Sequence, residues 1–451
     1  MIRRLILLVL VAVTAIGCTL GPDYVRPSVP ANEAFLHENP PGKSIADLGW
    51  WEIYHDETLK QLIHTALVNN RNLRVALARI EEARARLGVA RADLYPTLGY
   101  GATAGYDDTT RSGDSSFSAQ GFADASYIVD LWGGVRRSNE AALRDLLATE
   151  EAYRAVTINL VADVARSHFQ LRGIDQRLEI SERTVVTRRQ SLGLVETRYD
   201  AGMVSEVDVH QAEIQLSEAR ATVETLRRAR SWTENAISLL LGQPPMSIPR
   251  GLSLDESALP PAVPAGLPSE LVQRRPDVRQ AEELLAAQTA RIGVAEAARF
   301  PSLTLTADLG ASITDGLGSG FLGLGANLFG PLFESGRNKR RVEIEVARTE
   351  ALLSQYEQAI LSAFREVEDA LVAVETFRAE NRVRREQLDS ANSAADLAWA
   401  RYEEGLTSFL EVLDIERSRF SSELQASTAR QAELESIVQL YEALGGGWSD
   451  E

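Results

Sequence analysis

The sequence predicts a mixed α and β membrane protein built twice from one plan, a pair of membrane-length strands leading into a very long helical hairpin. Three observations carry that prediction: period-two alternation of apolar residues in four segments, sustained helical periodicity after each strand pair, and an internal repeat of motifs at offsets of 205 and 203 residues.

The strands are clearest between Pro301 and Phe329. Leu303, Leu305, Ala307, Leu309, Ala311 and Ile313 alternate with small or polar residues, and Leu322, Leu324, Ala326 and Leu328 do so again beyond a turn-rich Thr-Asp-Gly-Leu-Gly-Ser-Gly connection. Each run is about ten residues long, the length a tilted strand needs to cross the hydrocarbon core. A second pair precedes it: Leu98, Tyr100, Ala102, Ala104 and Tyr106, then Phe117, Ala119, Ala123, Ala125, Tyr127, Val129 and Leu131, separated by a polar loop at Asp107 to Ser116. Tyr100, Tyr106, Tyr127 and Trp132 are candidates for an interfacial girdle.

Helical periodicity fills most of the remainder. Glu57 to about Asp93 reads as one helical region ended by Pro96. From Val342 to Val374 apolar positions step by alternating four and three, a coiled-coil seam, and Leu143 to Val164 follows the same rhythm less regularly. A single helix from Ser335 to Glu404 would reach about 105 Å at 1.5 Å per residue. Gly173 is expected to weaken or kink the helix of the first half.

The repeat joins these parts. Leu87-Gly88-Val89-Ala90 with Tyr95-Pro96 recurs as Ile292-Gly293-Val294-Ala295 with Phe300-Pro301, and Arg198-Tyr199-Asp200-Ala201-Gly202 recurs as Arg401-Tyr402-Glu403-Glu404-Gly405. The expected divisions are a lipoprotein signal peptide at 1–17, a lipidated extended segment at 18–55, and a first repeat at 56–241 with its hairpin tip near 200–206. A Pro-rich linker at 242–268, a second repeat at 269–444 with its tip near 403–409 and a tail at 445–451 complete the chain.

Location is indicated at the N-terminus. After Arg3 and Arg4, Leu5 to Ile16 is apolar for about twelve residues, too short to span and right for a signal core. It ends at Gly17-Cys18, which resembles a lipoprotein cleavage box with Cys18, the only cysteine, as the lipidated residue. The other reading is a plain secretory signal in which Cys18 is incidental. Thr19 in place of Asp after the cysteine implies sorting to the outer membrane. The net charge of −17 and pI of about 5.0 argue against a nucleic-acid partner.

Four strands per chain with a lipid-facing side leave two unpaired edges, and lipid offers nothing to satisfy them, so copies must close the sheet into eight, twelve or more strands. Small and acidic residues on the other face suggest a wet lumen.

The chain resembles the outer-membrane factors, the TolC-like channels, in their NodT-type lipoprotein branch. The resemblance rests on Gly17-Cys18-Thr19-Leu20-Gly21-Pro22-Asp23-Tyr24, Gly49-Trp50-Trp51, Asp130-Leu131-Trp132-Gly133, Arg274-Arg275-Pro276-Asp277, Pro331-Leu332-Phe333 and Leu444-Gly445-Gly446-Gly447-Trp448. It implies a homotrimer with a twelve-stranded antiparallel barrel in outer-membrane lipid, four strands per chain, continuous with a long periplasmic α-helical barrel. It also implies a tripartite efflux or type I secretion-like system, in which a periplasmic adaptor and an inner-membrane transporter of the RND type feed a passive duct.

By the same resemblance, the helix tips at Gly202, Ser205, Gly405 and Ser408 contact the adaptor. Glu411 and Asp414, three apart and so on one helix face, fall on positions that form acidic rings at a periplasmic gate, with Leu410 as an apolar ring. Asp208 aligns with Glu411 in the first half, whereas Gln211 replaces the mate of Asp414. Thr407 stands where some relatives carry an arginine that locks the closed form.

Other signals are set aside. Gly318-Ser319-Gly320-Phe321-Leu322-Gly323 has dinucleotide-binding spacing but is followed by a strand, not the helix N-terminus a pyrophosphate needs. The five histidines lack metal-ligand spacing, and no Gly-x-Ser-x-Gly elbow occurs. No catalytic, cofactor or metal residue is therefore expected. The competing classes are an enzyme, and an outer-membrane coiled-coil tether or adhesin without channel activity.

Overall fold

The computed structural model describes residues 19–28, 35–37, 49, 56–109, 114–257 and 268–446. In chain order the elements are α1 (Glu57–Asn69), α2 (Arg71–Ala92), β1 (Thr97–Thr109), β2 (Asp114–Val129), α3 (Gly134–Asp200), α4 (Glu206–Leu240), α5 (Pro268–Arg274), α6 (Pro276–Ala297), β3 (Ser302–Thr314), β4 (Leu317–Phe329), α7 (Arg337–Glu403) and α8 (Phe409–Ala443).

The internal repeat is metrical in the long helices. Helices α3 and α7 each have 67 residues and α4 and α8 each have 35, so every residue of α7 and α8 stands 203 positions after its mate, from Gly134 and Arg337 to Leu240 and Ala443. None of the described helices is long and apolar enough to cross a membrane.

The chain forms two compact units. The first, Met1–Val29 with Leu77–Ala152 and Asp277–Ala359, contains the sheet. Its strands lie in the order β1-β2-β3-β4, all neighbours antiparallel. Pairing extends further than the sequence pattern suggested: β1 continues to Thr109 and β2 begins at Asp114, so the polar loop is short. The connection between β3 and β4 is only Asp315-Gly316, both with positive φ (50° and 83°), the signature of a two-residue type I′ turn whose twist matches the strands. The alternating Gly and Ser that follow belong to β4.

At the base of the sheet, Asp130 explains its motif. Its carboxylate accepts the backbone N–H groups of Val135 and Arg136 and so caps the start of α3. Trp132 stacks on Phe300 with ring centroids 4.7 Å apart and donates its indole N–H to the Pro301 carbonyl at 2.8 Å. It therefore clamps the end of β2 to the start of β3, a role beyond the girdle expected of it.

The second unit is Pro30–Ala76, Tyr153–Pro276 and Ile360–Glu451. The expected single helix from Glu57 breaks at Asn70, whose side chain accepts from Leu73 N–H and donates to the Leu240 carbonyl. Gly173 does not interrupt α3. A side chain there would run into the Gln431 carboxamide, so its missing Cβ admits a close helix approach. Of the α7 seam, Tyr356 closes the first unit's share, and Ile360, Ala363, Val367 and Ala370 are fully buried in the second. Arg275 of the Arg-Arg-Pro-Asp motif is buried and donates to the Ala443 carbonyl at 2.9 Å, closing the end of α8 beside Gly445.

Candidate functional site

Strand register sorts the sheet into two chemically distinct faces. Leu98, Ala125, Ala307 and Leu324 form one cross-strand row and Tyr100, Ala123, Leu309 and Leu322 the next. The Leu and Tyr side chains of these rows are exposed, a broad apolar surface presented to the surroundings. The opposite face carries Thr103, Gln120, Ser312 and Ser319 in one row and Gly99, Asp124, Asp308 and Gly323 in another. Strands of 13 to 16 residues exceed the span of a hydrocarbon core. Edge strands β1 and β4 each have one paired side.

Both helical hairpins reverse by the same chemistry. Gly202 and Gly405 have φ of 69° and 70°, the left-handed conformation that L side chains resist. Around them Met203 N–H donates to the Arg198 carbonyl and Gly202 N–H to Tyr199, and Leu406 and Gly405 repeat the pattern with Arg401 and Tyr402. This is a Schellman closure with glycine at C′ in each half. Ser205 and Ser408 then begin the return helices as N-caps.

The predicted tip carboxylates each have a local partner. Asp208 accepts from the backbone N–H and hydroxyl of Ser205 at 2.9 and 2.8 Å, so it caps the first turn of α4. Glu411 takes the Thr407 hydroxyl and lies 3.8 Å from Arg401. Asp414 pairs with Arg417 at 2.9 Å. Leu410 is 54% exposed. Behind these groups a buried cluster of Val195, Ala212, Ala398, Tyr402, Phe409, Val412 and Leu413 draws all four helices together, and Arg198 stacks on the Tyr402 ring. The sequence reading missed this cluster, although Tyr402 and Phe409 flank the tip.

The N-terminal segment also has a built seat. Leu20 N–H donates to the Trp132 carbonyl, and the buried Arg137 guanidinium holds the Leu20 and Gly21 carbonyls and Asp23. Tyr24 and Arg26 both bind Glu282, and burial together with that carboxylate raises the Tyr24 phenol above its ordinary pKa. Cys18, immediately before this strap, lies outside the described residues. Among the described residues no cluster of three His, Cys, Asp or Glu side chains could hold a metal ion.

A four-stranded sheet with a lipid-suited face, joined in one chain to paired long helical hairpins, defines an outer-membrane channel protein. The family described as outer membrane efflux protein matches residues 62–243 and 267–446, and the chain belongs to it. Outer membrane protein OprJ of Pseudomonas aeruginosa is 38% identical over 461 residues, 98% of this chain and 95% of that one. The toluene efflux pump outer membrane protein TtgC of Pseudomonas putida is 35% identical across 100% of this chain and 97% of its own length. Among solved structures, the open state of the Neisseria gonorrhoeae MtrE outer membrane channel superposes with a TM-score of 0.88 at 33% identity, covering 95% of this chain and 98% of that one.

Proposed function

We propose that three copies of this outer-membrane efflux protein close their sheets into one twelve-stranded barrel and their long helices into a periplasmic tube. The assembly is the passive exit duct of a tripartite system. A periplasmic adaptor docks at the tips around Gly202, Ser205, Gly405 and Ser408, and an RND-type inner-membrane transporter supplies the energy. Acyl chains on Cys18 add a tether, each buried CH₂ contributing roughly 0.8 kcal/mol.

One observation carries the reading. Among the described residues the sheet ends in β1 and β4 with one unpaired edge each while its apolar face is exposed, and in lipid such edges must be paired. Leu410, Glu411 and Asp414, on the first turns of α8, with Asp208 on α4, are assigned to the gate. The lumen-type face is lined by small polar side chains, so substrate choice rests with the transporter.

The test is the detergent-extracted full chain, examined for mass and for conductance in planar bilayers. A trimer that forms ion-conducting pores is expected. A monomer without conductance would reject the proposal.

A further inference from the structure

Among the long helices, side-chain pairs define an order. Arg227 with Glu182 joins α4 to α3, Arg183 with Glu423 joins α3 to α8 at 2.8 Å, and Trp399 with Glu416 joins α7 to α8. Away from the convergent tips, and counting the long helices alone, α4 and α7 thus stand at the two ends of the layer α4-α3-α8-α7; α7 also receives Leu36 and His37 at Glu368, Arg275 at Glu366 and Asp255 at Arg385.

The α3–α8 seam keeps a constant antiparallel register. Arg166 meets Glu442, Arg177 meets Gln431 at 2.9 Å, and Arg188 lies over the Phe420 ring at 4.9 Å. Eleven residues forward on α3 are eleven back on α8, a step of about three turns. The 203-residue correspondence carries this seam onto the two edges, because α7 is the mate of α3 and α4 the mate of α8.

At the mates of Arg166, Arg177 and Arg183, α7 carries Asp369, Glu380 and Glu386. At the mates of Gln431 and Glu423, α4 carries Arg228 and Arg220. All five are exposed. At these register positions the charge polarity of the in-chain seam is therefore inverted on the two outer helices, with acids on the long helix and arginines on the short one; Asp369 and Glu380 also lie 4.0 and 3.5 Å from Arg365 and Arg384, one turn away on α7. Exposed Trp232 and Leu239 on α4 and Val383 on α7 occupy the same faces, since their mates Glu435, Glu442 and Ile180 line the α3–α8 seam.

We propose that α7 of one copy docks antiparallel against α4 of the next copy in the register of the α3–α8 seam, setting Glu380 opposite Arg228 and Glu386 opposite Arg220 of that neighbour. This rests on the reading that copies assemble and adds which helices meet and how. The inverted polarity also excludes wrong order: α7 against a neighbouring α8 would set Glu386 against Glu423, and α3 against a neighbouring α4 would set Arg183 against Arg220.

The test replaces Glu386 and Arg220 together by cysteine in the full chain and treats the detergent-extracted protein with a short bis-maleimide. Cys18 is the only native cysteine, so E386C and R220C alone report the background. Covalent dimers and larger species that require both substitutions are expected, while the in-chain pair R183C with E423C cross-links at monomer mass. Loss of assembled species in E380R/E386R and its return to the unmodified level on adding R220E/R228E is expected as well. An assembled double-cysteine protein that stays uncrosslinked overturns the docking register and leaves the assembly reading standing. Absence of charge-swap rescue also overturns it. A monomeric unmodified chain overturns both.

Discussion

Asp124 and Asp308 stand directly opposite each other on β2 and β3, on the small, polar face of the sheet. Directly opposed like charges are destabilising in a sheet, and here the Asp124 carboxylate leans over Gly99 of β1 while that of Asp308 leans over Gly323 of β4, each taking the space a Cβ would fill. Replacing both by Asn is expected to reduce the cation preference of the reconstituted pore, moving the reversal potential in a salt gradient toward zero while the protein still assembles. An unaltered reversal potential would separate these residues from ion selection.

Gly202→Ala and Gly405→Ala force a Cβ into left-handed backbone at the hairpin tips, at a cost of about 1–2 kcal/mol each. Nothing beyond the neighbouring residues lies within 4 Å of a Cβ at either position, so the penalty is local backbone strain and not a clash with the rest of the fold. Faster amide exchange over 198–206 or 401–409 is the expected readout, confined to the substituted tip. Unchanged exchange there would mean the reversal has another low-energy form.

Leu410→Ala combined with Asp414→Ala is expected to raise closed-state conductance several-fold. Arg417→Ala alone tests the local ion pair, since it leaves the Asp414 carboxylate without the partner it now has at 2.9 Å. If the double substitution leaves conductance where it was, the gate lies elsewhere.

Asp56 caps α1 through Thr58 and Leu59, accepts from Leu252 N–H at 3.0 Å, and meets His168 Nε2 at 3.3 Å. Burial pushes its carboxyl up, but the bonds from His168, Leu252 and Leu59 outweigh it and hold the pKa down to about 2. A carboxyl lowered in the folded state contributes stability that is complete above its ordinary value of 3.8 and is lost as pH falls toward 2. Asp56→Ala should lower stability near neutral pH by about 2 kcal/mol, with the difference shrinking between pH 4 and 2 in thermal unfolding. A pH-independent difference would assign the effect to packing.

The long-range plan was legible because it is written in periodicity. Alternation marked the four strands, and the recurrence of Arg-Tyr before Gly202 and Gly405 marked the tips. Features set by partners distant in sequence were not legible. The break at Asn70 depends on the Leu240 carbonyl, the clamp at Trp132 on Pro301, and the Asp56 site on His168 and Leu252. The Asp315-Gly316 turn lies inside the expected connection, and the glycines that follow it hid how short that connection is. Asp208 shows the limit of alignment between halves: it mates with Glu411 in sequence, yet its carboxylate caps Ser205, whereas that of Glu411 receives Thr407.

The equal lengths of α3 and α7, and of α4 and α8, restrict how such a chain can change size. Deleting one residue from the middle of α7 would rotate everything beyond it by about 100° and draw it back about 1.5 Å, turning Glu380 or Val383 away from its face while its mate stayed put. The helices can lengthen or shorten only together and in steps that restore the facing rows, so reach across the periplasm is a quantity this architecture changes in jumps.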